Sequence, residues 1–258
     1  MHRIVTIPGN GDSDEIELIE QPSAPVLFLT SATTDITTLA DCIKNKKYSI
    51  WHKKITALCV SYLHHPAQID HYISKTASES KLIILRLLGG RGHWSYGIDQ
   101  LQEWQQKAND RNLIIVPGTI ENQEELISLS TVNENLSIKV ANLLRIGGTS
   151  NYKTLLDLID NIISGDEIDI HLYPTNEIAN VKKWDWEKDD GIRIGVIGYK
   201  SLLNSSDLDY PIKINRQLRL NGFCPRLIFV DNLSNKLVQE EIKEIFTDNN
   251  IKAIITTT

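Results

Sequence analysis

Short apolar runs alternate with helix-patterned segments along most of the chain, and turn residues close each run. Four such runs occupy the first half of the sequence, at 25–30, 55–60, 81–88 and 113–116. They are nearly continuous in apolar character, as strands covered on both faces are. The intervening segments carry apolar residues at helical spacing, for example Ile69, Ile73 and Ala77. The alternation predicts an α/β fold with a parallel sheet, of Rossmann-like or flavodoxin-like architecture.

The second half of the sequence predicts a second unit. Residues 121–165 have mostly helical character, and the best amphipathic stretch, 151–164, is closed by Gly165. Residues 166–191 are rich in acidic side chains and lack a sustained period. The β-α alternation then restarts, and 251–255 would be a last strand with an exposed apolar edge. We therefore expect an amino-terminal domain at 1–165, a linker at 166–191 that packs in part through its tryptophans, and at 192–258 the start of a second α/β domain, incomplete and truncated.

Charge and cysteine content exclude several classes of protein. Lys and Arg number 27 against 33 Asp and Glu, and the resulting net charge of -6 argues against a protein that wraps nucleic acid. Cys42, Cys59 and Cys224 are odd in number and far apart, which favours a reducing compartment over a disulfide framework. The start lacks a signal-peptide pattern, and no apolar run reaches the roughly 18 residues of a membrane-spanning helix. A cytoplasmic protein without membrane or nucleic-acid partners is expected.

A glycine-arginine loop after the third apolar run is the most informative segment. Its candidate ligand-binding residues are Arg86, Gly89, Gly90, Arg91, Gly92, His93, Trp94 and Tyr96. Glycines between a parallel strand and a helix leave backbone N–H groups free to meet an anion, and the two arginines could bind carboxylates. Alternatively, the glycines only permit a tight turn, and Trp94 and Tyr96 pack against a neighbouring domain. The glycine spacing does not match a dinucleotide fingerprint.

Other polar groups give weaker signals. His64, His65 and His71 allow a metal hypothesis, although turn or surface histidines are the commoner explanation and no Cys or Glu completes a ligand set nearby. The segment from Gly195 to Gly198 resembles a phosphate-binding turn, but a routine strand end explains it better. Nucleophile-elbow, Walker and zincin motifs are missing from the sequence. We therefore assign no catalytic residue and no metal ligand.

Several strings resemble the amino-terminal part of the cobaltochelatase large subunit, the CobN-type family, which is related to the H-type component of magnesium chelatase. The most specific is the string from Arg86 to Gly97, RLLGGRGHWSYG. Further matches are Met1-His2-Arg3, Pro8-Gly9, Gln21-Pro22, 26–35, His65-Pro66, Ile69-Asp70, Lys75-Thr76, Gly118, 129–131, Gly147-Gly148 and 192–198. The resemblance runs along the whole chain.

The resemblance implies a part in ATP-dependent insertion of cobalt into a corrin precursor, hydrogenobyrinic acid a,c-diamide, in cobalamin biosynthesis. In that family the large subunit binds the tetrapyrrole and the metal, and smaller partner subunits, one of them an AAA+ ATPase, drive the reaction. Cobalt, ATP and Mg²⁺ would be used by the complete complex, and no cofactor is assigned to this chain. Its partners would be those subunits, the corrin or porphyrin substrate, and the remainder of the large subunit.

The family's large subunit is several times longer than this chain, and its metal-insertion region follows the part that matches. Three interpretations remain open. The chain could be an amino-terminal piece of a cobaltochelatase or magnesium chelatase large subunit, and would then supply binding or assembly surface. It could instead be a free-standing tetrapyrrole-binding or scaffold protein. The third alternative, an unrelated small-molecule enzyme on a doubly wound fold, is the one least favoured by the lack of catalytic motifs.

Overall fold

A computed structural model describes residues 17–119, 123–176, 181–187, 189–204, 208–230 and 233–256. Within these ranges the chain forms two sheets, each covered by helices on both faces. Three features of the sequence lie outside the described residues: the strings Met1–Arg3 and Pro8-Gly9, and the start of the helical region at Glu121.

The first sheet consists of four parallel strands. They are β1 (Val26–Thr30), β2 (Ile55–Cys59), β3 (Leu82–Leu87) and β4 (Asn112–Pro117). Their order across the sheet is β2-β1-β3-β4. This is the order of the first four strands of a flavodoxin-like sheet. The α/β class expected from the apolar runs is therefore confirmed.

In the described part of the chain, six helices cover this sheet. They are α1 (Thr33–Ile43), α2 (Pro66–Thr76), α3 (Ser95–Gln106), α4 (Gln123–Ile127), α5 (Glu134–Ile146) and α6 (Gly148–Ser164). Strand side chains alternate between two apolar cores: one is shared with α1, α5 and α6, and the other with α2, α3 and α4. No helix among the described residues is long and apolar enough to cross a bilayer.

Two indole groups from α3 and its N-terminal flank hold both ends of α2. Trp94 Nε1 donates to the carbonyl oxygen of Leu63, just before α2, at 3.1 Å. Trp104 Nε1 donates to the carbonyl oxygen of Ala77, just after α2, at 2.9 Å. Both indoles are buried away from water, so these bonds give their N–H groups the hydrogen-bond partners that they would otherwise lack. The two helices pack side by side as a layer on one face of the sheet.

The second sheet also has four strands. They are β5 (Val181–Trp184), β6 (Ile192–Tyr199), β7 (Phe223–Val230) and β8 (Ala253–Thr256), in the order β5-β7-β6-β8. Strands β6, β7 and β8 are parallel, and β5 runs antiparallel to β7. The accompanying helices are α7 (Lys200–Asn204), α8 (Asp209–Leu220) and α9 (Lys236–Asp248). Helices α7 and α8 pack on one face of the sheet, and α9 on the other.

The segment 166–191, expected to be a linker, contributes β5 to the second sheet. Val181 is buried in the core beneath α9, and the Trp184 ring packs edge-on against Phe229 at 6.2 Å. Earlier in the segment, Tyr173 is buried in the core that the first sheet shares with α1, α5 and α6. β5 was not predicted, because a four-residue strand with two lysines carries too weak a β pattern to read from sequence. The linker and the limits of the two domains stay a prediction.

Gly195 and Gly198 lie inside β6 and form no phosphate-binding turn. A Cβ atom on Gly195 would meet the Phe246 ring of α9 at 2.7 Å, and one on Gly198 would meet the Phe229 ring at 3.1 Å. Each glycine therefore makes room for an aromatic ring on a covered face of the sheet. The resemblance to a phosphate-binding turn in the sequence reflects core packing.

Candidate functional site

The carboxyl edge of the first sheet contains the expected ligand-binding loop. The chain passes from β1 outward to β2 and then returns to β3, so the strand order reverses between β1 and β3. The last residue of β1, Thr30, lies beside Arg86 of β3 in the parallel register. Ligands of open α/β sheets bind in the crevice outside such a reversal. The loops after Thr30 and after Leu87 border this crevice.

The glycine-arginine loop follows β3 and passes through a short 3₁₀ turn, Arg91–His93, into α3. Gly89 has φ +94°, and a Cβ atom there would lie 2.4 Å from the His93 ring. Glycine is therefore needed at this position both for backbone conformation and for space. Within the described residues, the N–H groups of Gly89, Gly90 and Gly92 donate to no other group of the chain. These groups could meet an anion.

Arg86 is directed away from the crevice. Strand alternation places it on the face of the sheet that α1 and α6 cover, where its Nη1 donates to Asp35 Oδ1. The two side chains are 11% and 5% exposed. Arg86, expected among the ligand contacts, is thus the partner of a buried carboxylate. A cation on this covered face requires such a partner because an unpaired buried charge is strongly unfavourable.

Asp35 accepts two more hydrogen bonds in the same cluster. Thr30 Oγ1 donates to Asp35 Oδ2 at 2.5 Å, and Tyr152 Oη of α6 donates to Asp35 Oδ1 at 2.7 Å. The cluster of Thr30, Asp35, Arg86 and Tyr152 lies beneath the crevice and fixes the ends of β1 and β3. Sequence reasoning missed Asp35 and Tyr152 as members of this cluster. Two signals in the sequence pointed to this cluster: an acidic residue at a helix start, Asp35, and an arginine within an apolar strand, Arg86. Tyr152 had no such signal.

Arg91 remains accessible at the surface. Its Nη2 donates to Asp99 Oδ1 at 2.7 Å, and the two side chains are 42% and 51% exposed. A pair this exposed contributes about 0–1 kcal/mol, so a ligand carboxylate could replace Asp99 at little cost. Arg91 is therefore the arginine of the loop that is available to a ligand.

The aromatic residues of the loop divide into two groups. Trp94 is buried and packs over Gly97 while it bonds to Leu63, so its role is structural. Tyr96 is 38% exposed, and its hydroxyl donates to Asp70 at 2.8 Å. That hydrogen bond raises the pKa of the Tyr96 hydroxyl. His93 is exposed beside Gly89.

Exposed apolar side chains lie at the carboxyl edge of the sheet. Leu88 is 41% exposed and Tyr62, in the turn after β2, is 57% exposed. Together with Tyr96 they give the carboxyl edge exposed apolar surface. Leu88 and Tyr62 could not be predicted as part of the site, because exposure of single apolar residues has no sequence signature. The edge can therefore contact a ligand that combines apolar surface with carboxylates.

Two of the three histidines considered for a metal, His65 and His71, contact other groups of the chain through their rings. His65 Nδ1 accepts the N–H of Ala67 and caps α2. His71 Nε2 contacts Glu20 Oε1 at 3.2 Å. No cluster of three or more His, Cys, Asp or Glu side chains suited to a metal ion occurs among the described residues.

Several cavities among the described residues lie away from this edge, including two that are lined by pairs of basic side chains. One, of about 240 Å³, is formed between α6 and the second unit, with Lys182 and Lys200 in its wall. It is smaller than the roughly 300–1,000 Å³ of typical small-molecule sites. The second of these, of about 530 Å³, contains Arg193 and Arg226 but also three acidic side chains. Neither combines a typical size with one sign of charge.

Comparison with known proteins gives sequence relatives for the whole chain. No protein-family model matches it. The aerobic cobaltochelatase subunit CobN of Sinorhizobium sp. is 21% identical over 267 aligned positions, which cover 96% of this chain. CobN of Pseudomonas aeruginosa is 21% identical over 271 positions and covers all of it. The chain resembles CobN along its whole length. The family resemblance expected from the sequence is confirmed.

The match to CobN is confined to part of that protein. This chain spans about a fifth of each relative, 21% of its length. Among solved structures, the catalytic subunit of cobaltochelatase from Mycobacterium tuberculosis has a TM-score of 0.59 and 17% identity, and the match covers 93% of this chain and 18% of that one. At this identity the structural match shows a shared fold.

Proposed function

We propose that this chain forms the amino-terminal part of the large subunit of an ATP-dependent, CobN-type cobaltochelatase in the cytoplasm. The observation that carries the proposal is the similarity to two CobN subunits over 96% and 100% of the chain. The complete complex would insert cobalt into a corrin precursor, hydrogenobyrinic acid a,c-diamide. Its AAA+ partner subunit would bind ATP and Mg²⁺. The chain would contribute tetrapyrrole binding or assembly surface, and metal insertion would take place elsewhere in the large subunit.

The glycine-arginine loop supports the tetrapyrrole-binding part of the proposal. A corrin or porphyrin precursor carries carboxylates around a large apolar macrocycle. Arg91 and the loop N–H groups are available to carboxylates, and Leu88, Tyr62 and Tyr96 offer apolar surface at the same edge of the sheet. Arg86 would act indirectly, since its pair with Asp35 supports the strand ends beneath the loop.

Titration with a porphyrin carboxylate tests the loop. Replacement of Arg91 by Ala should weaken binding about 10- to 150-fold, the equivalent of about 1.5–3 kcal/mol for a charge-assisted hydrogen bond. Arg216→Ala is the matched control, because Arg216 is an exposed arginine on α8 of the second unit. Absorbance and tryptophan fluorescence report binding. If neither signal changes when the ligand is added to the unmodified chain, tetrapyrrole binding by this chain is disproved.

Co-purification tests the assembly part. The chain, tagged in its own organism, should purify together with the AAA+ subunit of a chelatase and with large-subunit sequence beyond the matched fifth. Tetrapyrrole binding without either of these would favour a free-standing binding protein. Co-purification with magnesium chelatase subunits would instead assign the chain to that related enzyme.

A further inference from the structure

Both edges of the first sheet are closed by the chain itself. At β2, Gln21 Nε2 donates to the carbonyl oxygen of Ala57 at 3.2 Å, and Thr56 Oγ1 donates to that of Pro22 at 2.7 Å. The extended segment around Gln21 and Pro22 therefore lies along the β2 edge. A strand from another molecule could pair there only by displacing it.

The β4 edge is covered by a polar pair that follows α4. The N–H of Leu113 donates to Thr131 Oγ1 at 2.9 Å, and the N–H of Ile115 donates to Ser130 Oγ at 2.9 Å. The N–H of Thr131 returns a bond to the carbonyl oxygen of Leu113 at 2.8 Å. The outward backbone groups of β4 are thus satisfied within the chain.

The two edges of the second sheet differ. β5 is four residues long and carries exposed Lys182 and Lys183, and lysine on a short edge strand is a common protection against pairing. At the other edge, β8 has no charged residue. Ala253 and Ile254 are exposed, and Ile254 retains 55% of its surface. No described strand lies on the outer side of β8.

Ile254 lies where a further strand would cover it. It is paired in register with Gly195 of β6, on the face of the sheet that α9 covers. Its neighbours on that face farther from the edge, Ile197 and Ile228, are buried. A strand beside β8 would extend this row of buried side chains to Ile254 and would remove the Ile254 side chain from water.

We propose that the outer edge of β8 pairs with a β-strand from the part of a CobN-type large subunit that lies outside the fifth matched by this chain. The inference rests on the proposed function. The CobN relatives are about five times longer than this chain, and the solved cobaltochelatase subunit contains this fold within a chain of which 18% is matched. Among the described residues, both edges of the first sheet are covered, the β5 edge is short and carries two lysines, and the β8 edge is uncharged with no strand beside it. The contact is therefore expected at β8. The added strand would be uncharged and rich in β-branched residues, to match Ala-Ile-Ile-Thr.

Site-specific photo-crosslinking tests the inference in the full protein, produced in its own organism. With p-benzoylphenylalanine in place of Ile254, irradiation should link β8 to large-subunit sequence outside the matched fifth. A link within one polypeptide would mean that the strand is covalently continuous with this chain, and a link between two would mean that it comes from a separate chain. The control position is Leu237, which is 69% exposed on α9. It should not give that product.

A variant that blocks the edge provides a second measurement. Ile254→Lys should speed hydrogen exchange of residues 253–256 in the assembled protein at least tenfold, whereas Leu237→Lys should leave it unchanged. Crosslinking to a second copy, to an unrelated protein or to nothing would overturn the inference. If chelatase subunits still co-purify in that case, only the role of β8 fails. If they do not co-purify, the proposed function fails as well.

Discussion

Tyr152 Oη donates a 2.7 Å hydrogen bond to Asp35 Oδ1, the carboxylate oxygen that also pairs with Arg86. Tyr152 is 2% exposed. Burial, followed by the negative charge of Asp35, raises the pKa of the Tyr152 hydroxyl well above its ordinary value. The hydroxyl therefore stays a hydrogen-bond donor at neutral and alkaline pH. Through one carboxylate, α6 is joined to α1 and to the end of β3.

Replacement of Tyr152 by Phe should lower the free energy of unfolding by about 1.5–3 kcal/mol, because it removes a buried hydrogen bond to a charged acceptor. Urea denaturation measures the change. The control is Tyr48→Phe, since Tyr48 also has a buried ring but its hydroxyl contacts Asp157, a carboxylate that is 46% exposed. That variant should lose about 1 kcal/mol or less. Equal losses of unfolding free energy in the two variants would show that the buried hydrogen bond to Asp35 stabilises the fold no more than the exposed one to Asp157.

Arg86 and Arg91 should separate stability from ligand binding. Arg86→Met leaves Asp35 without its cation and should cost about 3–5 kcal/mol of unfolding free energy. Arg91→Met breaks an exposed pair with Asp99 and should cost less than about 1 kcal/mol, while it weakens porphyrin binding. Denaturation and ligand titration on both variants test this. A stable Arg86→Met protein with weakened binding would reverse the roles inferred for the two arginines.

Gly89 and Gly92 should respond differently to alanine. Gly89→Ala places a side chain at φ +94° and against the His93 ring, and should destabilise the protein by about 1–3 kcal/mol. Gly92→Ala has no described atom within 4 Å of the added Cβ and should change stability by less than about 0.5 kcal/mol. Thermal and urea unfolding compare the two. Matching effects would mean that the loop conformation is not held by Gly89.

Asp189 should make the second unit sensitive to acid. It pairs with Arg226, whose side chain is 5% exposed, and with Arg219 at 3.3 Å. The hydrogen bond from Arg226 lowers the pKa of the Asp189 carboxyl below its ordinary value. In the unfolded chain an aspartate titrates at about pH 3.9. The ionised form therefore stabilises the fold above that pH, and the contribution is lost as the pH falls through the lower, folded pKa.

The test compares Asp189→Asn with the unmodified chain by urea unfolding between pH 7 and pH 3. The variant should be less stable than the unmodified chain by about 3 kcal/mol at pH 7. Its unfolding free energy should also fall less than that of the unmodified chain when the pH is lowered. Glu187→Gln serves as the control because Glu187 is 62% exposed in its pair with Arg219. If the unfolding free energies of the unmodified chain and of Asp189→Asn change in parallel with pH, the stabilising role of ionised Asp189 is contradicted.

The parallel sheet of the first unit could be predicted because buried strands are continuous apolar runs, as in Val26–Thr30 and Leu82–Leu87. The buried role of Arg86 could not. Its partner Asp35 is 51 residues away in sequence, and only the fold brings the two onto one covered face. For the same reason the sequence predicted two ligand-binding arginines, whereas the structure leaves only Arg91 accessible to a ligand.

The second unit was harder to predict for a different reason. Val181–Trp184 has one buried apolar residue, two exposed lysines and a half-buried tryptophan, and it pairs antiparallel with β7. Such a strand is stabilised by contacts with Phe229 rather than by its own pattern. Gly195 and Gly198 suggested a turn because their aromatic partners, Phe246 and Phe229, are distant in sequence.

The two indole bonds that hold α2 at both of its ends also constrain how this domain can change in length. Trp94 and Trp104 are ten residues apart, which is about 15 Å along a helix, and α2 has 11 residues, or about 16 Å. A residue inserted into either helix would pull one indole out of reach of its carbonyl. An insertion or deletion in α2 should therefore be tolerated only together with one of the same length in α3. Other changes in length are expected in the loops and in the other helices.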